Sequence, residues 1–414
     1  MNIRTKTLIA LFPMLAALLS VSCTDKKQET KADKEAKNKV EVKLVKTVQL
    51  PEGTKDVMLD PETLEPKVLI GDTFIRFVDE DLNVKNSVVM ENHERFYHRS
   101  SARGKYLGIY IGSTEYDEPR FILFDIEGKV IWERKGYTCS VSEYLAPCYV
   151  SDDGRTVAYA SGITGGGIVS FHRNEWSSIH YPIDDDMTSE GKFSGNGNYF
   201  GLVISGSSPV MPFVILYDNS GNELWRRKIA NEDLSDSILV STSARYILAF
   251  SNDAYCLDRT GDVIWNLEDH YSNNNLIDGK ADYISEESDL LLLRKLGLRD
   301  ISMINARNGS VLWQKSTKDL IVNFEILTSE EKSHIRIKNA DISKDWSLIA
   351  IATWNKDGVS PALDAFPRFL NLFDREGNLL WREGFNSNIK PFVSKDASLL
   401  AVDAKESINY YQIR

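Results

Sequence analysis

Along most of this chain apolar and polar residues alternate at a period of two, and the alternation is interrupted at short intervals by a turn of recurring composition. Leu123–Glu133 reads LFDIEGKVIWE, Leu216–Arg226 reads LYDNSGNELWR and Cys256–Asn266 reads CLDRTGDVIWN. Leu372–Glu383 reads LFDREGNLLWRE, and Ile304–Gln314 reads INARNGSVLWQ with one extra residue before the glycine. Each copy is an apolar strand, an Asp or Asn able to bond its own backbone two residues on, a Gly supplying the positive φ of a tight turn, and a second alternating strand that reaches a Trp. The recurring positions are Asp125, Gly128 and Trp132; Asp218, Gly221 and Trp225; Asp258, Gly261 and Trp265; Asn305, Gly309 and Trp313; Asp374, Gly377 and Trp381. A lone hairpin is marginal in water, so the copies are expected to bury their faces on one another, with the Trp rings filling the space between neighbours. At ~150–250 Å² buried per ring, truncating one to Ala is expected to cost about 3–5 kcal/mol.

A second repeat precedes each hairpin: a Ser, a polar turn and an apolar strand. It is clearest from Ser151, Ser194 and Ser394, with weaker copies from Ser100, Ser241, Ser285 and Ser343. The two repeats together make a four-stranded antiparallel unit. Units are expected at about Asp56–Met90, Arg99–Lys135, Val150–Pro182, Phe193–Ile229, Val240–Leu267, Ile284–Ser316 and Ile342–Phe385. Val393–Arg414 has residues for three strands, and the alternating stretch Val40–Leu50 is the simplest source of its fourth. The expected fold is all-β: a single β-propeller of four-stranded antiparallel blades over residues 40–414. Eight blades is the preferred count, with seven the alternative because Phe74–Asp79 is a degenerate copy without the Trp. His172-Arg-Asn-Glu-Trp176 breaks the repeat, and Thr317–Ala340 and Asn355–Pro367 are overlong connections of the kind that often carry function.

The Asp-x-x-Gly-x-x-x-Trp pattern resembles the tryptophan-docking repeat of quinoprotein-type (PQQ-like) β-propellers, and Asn305–Trp313 is the copy most similar to it. The Ser-x-Asp-Gly element is similar to WD40-type repeats. The resemblance spans the chain from about Val40 to its end and implies a fold, not an activity. Quinoprotein dehydrogenases use adjacent cysteines beside the cofactor, whereas the cysteines here are 23, 139, 148 and 256, none adjacent. No cofactor is therefore expected.

The 414 residues carry a formal net charge of −11, which argues against a nucleic-acid partner. Residues 1–22 read as a secretion signal, with Arg4 and Lys6 ahead of the apolar run Leu8–Leu19, a run too short to span a bilayer. Leu19-Ser-Val-Ser-Cys23 resembles a bacterial lipobox with Cys23 as the lipidated residue, although Ser20 stands where Leu is commonest. Residues 23–39 then form a charged flexible tether. The expected address is the cell envelope, lipid-anchored, with the outer membrane favoured over the inner because Thr24, not Asp, follows the cysteine. Cys139 and Cys148 flank one connection and are a candidate disulfide in that compartment.

No catalytic constellation stands out. His93-Glu-Arg-Phe-Tyr-His98 spaces its two His five apart, so they would not share a helix face as HExxH requires. Asp184–Asp186 with Glu190 lacks the alternating ligands of a calcium loop and reads as a solvated charge run. The glycines of 165–167 and 195–197 are explained by turns. The leading reading is a monomeric binding or scaffold module. The resemblance to the lipoprotein propeller of outer-membrane barrel-assembly machinery implies one such role. A PQQ-dependent dehydrogenase or other propeller enzyme, and a glycan-binding module, are the alternatives. Long connections are expected on one face, with Tyr97, His98, Tyr116, Asp184, Tyr271 and Asp357 as candidate contacts for a protein or glycan. Titration of the purified protein with PQQ and calcium is expected to leave absorbance and melting temperature unchanged; saturable binding with dye-linked alcohol or sugar oxidation would favour the enzyme instead.

Overall fold

The serine repeat is built around one hydroxyl. In the computed structural model, Ser151 Oγ accepts the amide of Thr156 at 3.0 Å, and Ser194, Ser241, Ser343 and Ser394 do the same for the residue five positions on, at 2.9 to 3.0 Å. These serines are buried, so the hydroxyl replaces the water that would otherwise satisfy those amides. In the second unit the role falls to Ser101, which accepts from Lys105 and Tyr106, and not to Ser100, which pairs Leu107 in the ladder. Side chains alternate along the strand, so only one of two adjacent serines can face inward. The structure describes residues 40–90, 94–101, 104–113, 120–135, 148–163, 166–172, 176–181, 187–206, 213–228, 238–250, 254–267, 280–294, 299–355 and 366–414.

Among the described residues the strands form eight four-stranded antiparallel sheets. Sheets 1 to 7 are consecutive in the chain: Thr54–Val89, Glu94–Lys135, Cys148–Tyr181, Met187–Lys228, Ile238–Leu267, Lys280–Ser316 and Ile335–Phe385. Sheet 8 takes three strands from Lys390–Ile413 and its outermost one, Val42–Gln49, from the other end of the chain. Most sheets begin several residues before the boundary expected from the serine, because the serine closes the first strand instead of opening it.

Among the described residues the buried apolar side chains form no single central core. Eight apolar layers lie between successive sheets: Leu107, Ile109 and Phe124 meet Val68, Ile75 and Phe77 between sheets 1 and 2, and Val57, Leu59 and Leu69 meet Ala401 and Ile408 between sheets 1 and 8. Each middle strand is therefore apolar on both faces, as Leu290–Leu293 shows. The outermost strands expose apolar residues singly, as at Leu224, or in adjacent pairs, as at Val263–Ile264 and Val311–Leu312, and charges such as Arg227 and Lys228 discourage edge pairing.

The Asp-x-x-Gly turns form as expected. Asp125 Oδ1 accepts from the amides of Glu127 (3.1 Å) and Lys129 (2.9 Å), and Gly128 N–H donates to Asp125 O at 3.1 Å with φ +83. The glycine has a second reason. A Cβ at Gly309 would lie 3.0 Å from the Trp265 ring of the preceding sheet, and one at Gly377 would lie 2.7 Å from Trp313. Three of the indoles sit on the next sheet's turn and donate Nε1–H to its backbone: Trp225 to Arg259 O (2.8 Å), Trp265 to Ala306 O (2.7 Å) and Trp313 to Arg375 O (2.9 Å). Only Trp265, 9% exposed, is buried. Trp132, Trp225, Trp313 and Trp381 keep an outer edge in solvent, so their truncation cost falls below that of a fully enclosed ring.

The degenerate first copy uses other residues for the same contact. Asp79 Oδ1 accepts from the amides of Asp81 and Asn83, with Leu82 at φ 63 in the glycine's place. Phe77 lies against Gly128, and Asn86, at the Trp position, donates to Gly128 O at 2.7 Å.

Val42 pairs Ile413 and Gln49 pairs Ser407 in antiparallel register, so the N-terminal strand completes sheet 8. Deleting Val40–Leu50 is expected to expose the 407–413 strand, lower the melting temperature and promote aggregation. Deleting Thr24–Lys39 is expected to leave melting nearly unchanged, and equal shifts from the two deletions would contradict closure by this strand.

Candidate functional site

The topology divides the molecule into two faces. In sheets 1 to 7 the turn after the first strand and the turn after the third lie at one end, while the second-to-third loops and the connections to the next sheet lie at the other; sheet 8 shares this order but takes its fourth strand from Val42–Gln49. The first strands of sheets 2 to 8 touch in succession, and Lys390 on that of sheet 8 reaches Asp56 on that of sheet 1, so these strands lie around the axis.

The turn face is held by its own hydrogen bonds. Glu286 of sheet 6 accepts from Ser241 Oγ (2.5 Å), Ser243 N (2.6 Å) and Ser243 Oγ (2.7 Å) of sheet 5. Burial pushes its carboxyl up, but these bonds outweigh burial and leave it below the usual range. Asp289 accepts from Tyr246 Oη at 2.5 Å and pairs with Arg307 at 2.7 Å, which hold it below its ordinary value. Asp396, bonded by Ser398 and Ser394, drops to about 2. These carboxylates tie turns together and neighbour to neighbour.

A polar chain runs along the innermost strands. Asp341 Oδ1 accepts from Tyr283 Oη at 2.8 Å and its Oδ2 accepts from Val393 N at 2.6 Å, linking sheets 6, 7 and 8 through one carboxyl group. The residue is half-buried but the carboxyl itself is enclosed, and burial raises its pKa to about 6 against the pull of those bonds. Lys390 pairs with Asp56 at 3.0 Å across sheets 8 and 1. Burial raises Asp403 nearby, and burial lowers His98, with Arg99 and Lys390 adding to that and Asp56 opposing it. This row joins sheets. Among the described residues no group of three His, Cys, Asp or Glu side chains is placed to hold a metal ion.

The connection face carries a built insertion between sheets 6 and 7. Helix α1 (Thr317–Leu320), a 3-10 turn at Phe324–Ile326 and helix α2 (Ser329–Ser333) occupy the long connection expected there. Asp319 accepts from Ser316 N and Oγ, both at 2.8 Å, and Thr328 and Glu331 form a reciprocal capping box at the start of α2. Leu320, Ile321 and Leu327 drop into the apolar layer between sheets 6 and 7. Arg382 donates to Asn371 Oδ1 (2.6 Å) and Asp319 O (2.7 Å), fastening α1 to sheet 7. Ile326 at the tip is 75% exposed.

Of the candidate contacts, Tyr97, 43% exposed, and His98 lie on the first strand of sheet 2, at the axis. Tyr116, Asp184, Tyr271 and Asp357 lie outside the described residues, as do Cys23, residues 1–39 and Cys139 with its pairing to Cys148. Sequence reasoning missed Asp341, Tyr283 and Lys390, because nothing local marks residues whose partners come from other sheets. Cys256 is buried and unpaired, as expected of an apolar-site cysteine, and burial raises its thiol.

Fold and faces together define a β-propeller, whose serine turns give it the WD40-like character noted in the sequence. No protein family and no curated protein matches the sequence. Among solved structures the chain is similar to the Dos1 propeller, at 18% identity over 90% of this chain and 95% of that one, with a TM-score of 0.52. It also matches the Cps50 (Swd1) β-propeller domain of Myceliophteria thermophila, at 13% identity over 89% and 99%, TM-score 0.46. At these identities the likeness concerns the fold alone.

Asp341 generates a pH test. Its folded value lies above the ordinary carboxyl value, so between about pH 4 and 6 the folded state holds a proton that the unfolded state has lost. Its contribution is therefore present below pH 4 and lost as pH rises through 6, by up to about 3 kcal/mol. Asp341→Asn, measured by urea melts, is expected to gain stability relative to wild type as pH rises from 4 to 7. A constant difference across that range would show that the carboxyl does not titrate there.

Proposed function

We propose that this chain is a lipid-anchored cell-envelope scaffold of PQQ-like repeat type, an eight-bladed propeller that binds a partner protein on its connection face. The observation that carries the binding face is the contrast between the two ends. The described turn face spends its polar groups on its own turns, while the connection face holds a capped, anchored insertion that presents Ile326 to solvent. A binding surface needs rigid support and uncommitted groups, and the insertion combines both. The address rests on the sequence: the Cys23 motif, the charged tether and the outer-membrane preference of Thr24. Among the described residues no helix is long and apolar enough to cross a membrane, so the acyl chains would supply the anchor.

Two measurements test the reading. Cys23→Ala is expected to release the chain from membranes or block its maturation, and membrane retention with normal processing would remove the anchor from the proposal. Photo-cross-linkers at Tyr97 and Ile326 are expected to capture one partner that cross-linkers at Gly128 and Gly221 do not. Capture from the turn positions only would refute the face assignment, and release of that partner by a soluble glycan would favour the glycan-binding alternative.

A further inference from the structure

The connection face holds a cluster of cations with no ion pair among the described residues. Arg299, between the second and third strands of sheet 6, donates Nη2–H to Ser333 O at 3.2 Å. Arg336, on the first strand of sheet 7, donates Nη1–H to that same oxygen and to Ile335 O at 3.0 Å. Two guanidinium groups thus converge on one neutral carbonyl at the end of α2. Burial lowers the Arg336 pKa and Arg299 lowers it further, with no carboxylate acting in the other direction. Lys338 follows at a β-bulge between Ile337 and Asn339, and its ammonium lies over the Trp354 ring, 4.8 Å from the centroid. Trp354 is the ladder partner of Arg336, so the three cations and the indole occupy one patch. Arg294, buried at 8% exposure, donates to Lys338 O and to Ile337 O (3.4 Å), which fixes the backbone that carries them.

Cations near a helix C-terminus are ordinary, and one arginine would cap α2. The second adds like-charge repulsion. In a chain of net charge −11, with carboxylates elsewhere paired to Lys67, Lys85, Arg227, Arg307 and Lys390, three cations on one patch that make no ion pair among the described residues leave room for a carboxylate from outside the fold. An indole beside guanidinium groups is the composition of an interface hot spot.

We infer that Arg299, Arg336, Lys338 and Trp354 form a docking site for an acidic segment of a partner protein that carries apolar side chains between its carboxylates. This deepens the proposed connection-face binding and rests on that reading. An extended segment is favoured over an anionic bilayer because Arg336 is half-buried against the end of α2, within reach of a narrow chain but recessed from a flat surface. The carboxylates would take the outward guanidinium donors, and the apolar side chains would meet Trp354 and the insertion that carries Ile326.

The test uses the purified full chain and a fluorescent peptide alternating Glu and Leu, with a Gln/Leu peptide as control, read by anisotropy. Wild type is expected to bind the acidic peptide saturably, and more weakly as salt is raised. Arg299→Gln with Lys338→Gln, both at exposed positions, is expected to weaken binding at least about tenfold, or ~1.4 kcal/mol. Arg227→Gln with Lys228→Gln, on an outermost strand, is expected to leave it unchanged. Absent binding by wild type, equal binding of the Gln/Leu peptide, or an unaltered affinity in the Arg299/Lys338 variant would each overturn the inference. Phosphatidylglycerol vesicles, added to Cys23→Ala protein, supply the other arm: binding through these residues without peptide binding would assign the patch to a membrane. If the Tyr97 and Ile326 cross-links persist in the Arg299/Lys338 variant while the peptide fails, the face stands and this site falls.

Discussion

A four-stranded sheet whose middle strands are apolar on both faces cannot stand in water with either face open. Leu290–Leu293, buried throughout, illustrates the constraint, since burial of each face needs a neighbour on that side. The solution here is a layer of apolar side chains between every pair of successive sheets, including sheets 8 and 1. The docking of one sheet's aromatic ring on the next sheet's turn sets the spacing of those layers at the outer side. Glycine at the turn serves twice, by accepting positive φ and by leaving room for the ring.

Because the turns on one face are where neighbours grip each other, that face has little chemistry left to spend. The hydroxyls of Ser151, Ser194 and Ser394, the carboxylates of Asp125 and Asp258, and the Glu286 and Asp289 pairings all close internal hydrogen bonds. On the opposite face connections can vary in length at modest cost. An insertion with its own capping boxes and its own anchors in sheets 6 and 7 fits there. The polar chain through Asp341 belongs to neither face. It satisfies innermost-strand groups, such as Val393 N–H, that a sheet edge would otherwise leave to water.

Where local chemistry repeats, the sequence was readable. The Asp-x-x-Gly-x-x-x-Trp and serine turns announced strands, hairpins and four-stranded units, because each turn depends on residues within five positions of one another. The same locality explains the failures. Ser100 and Ser101 are indistinguishable until the strand's inward side is known. Leu82 in the glycine position conceals a turn that Asp79 still makes, and Asn86 with Phe77 conceals a docking contact written elsewhere as a single Trp. The indoles were expected to fill the space between neighbouring units, and four of the five keep an edge in solvent; Trp225 and Trp313 are covered by the next sheet's turn and not enclosed by a core.

What the sequence determined by itself was therefore the local set: period-two strands, the turns between them, the antiparallel unit, and the need for the N-terminal strand to complete the last one. Those follow from steric and hydrogen-bonding preferences of neighbouring residues. Only the tertiary structure decided which distant groups meet. Asp341 joins Tyr283 and Val393 from two other sheets, Lys390 finds Asp56 at the far end of the chain, and Arg299 and Arg336 share the carbonyl of Ser333. Electrostatics and burial act through space, so a charge's partner, or its lack of one, is settled only when the ring of sheets brings separated residues to the same place.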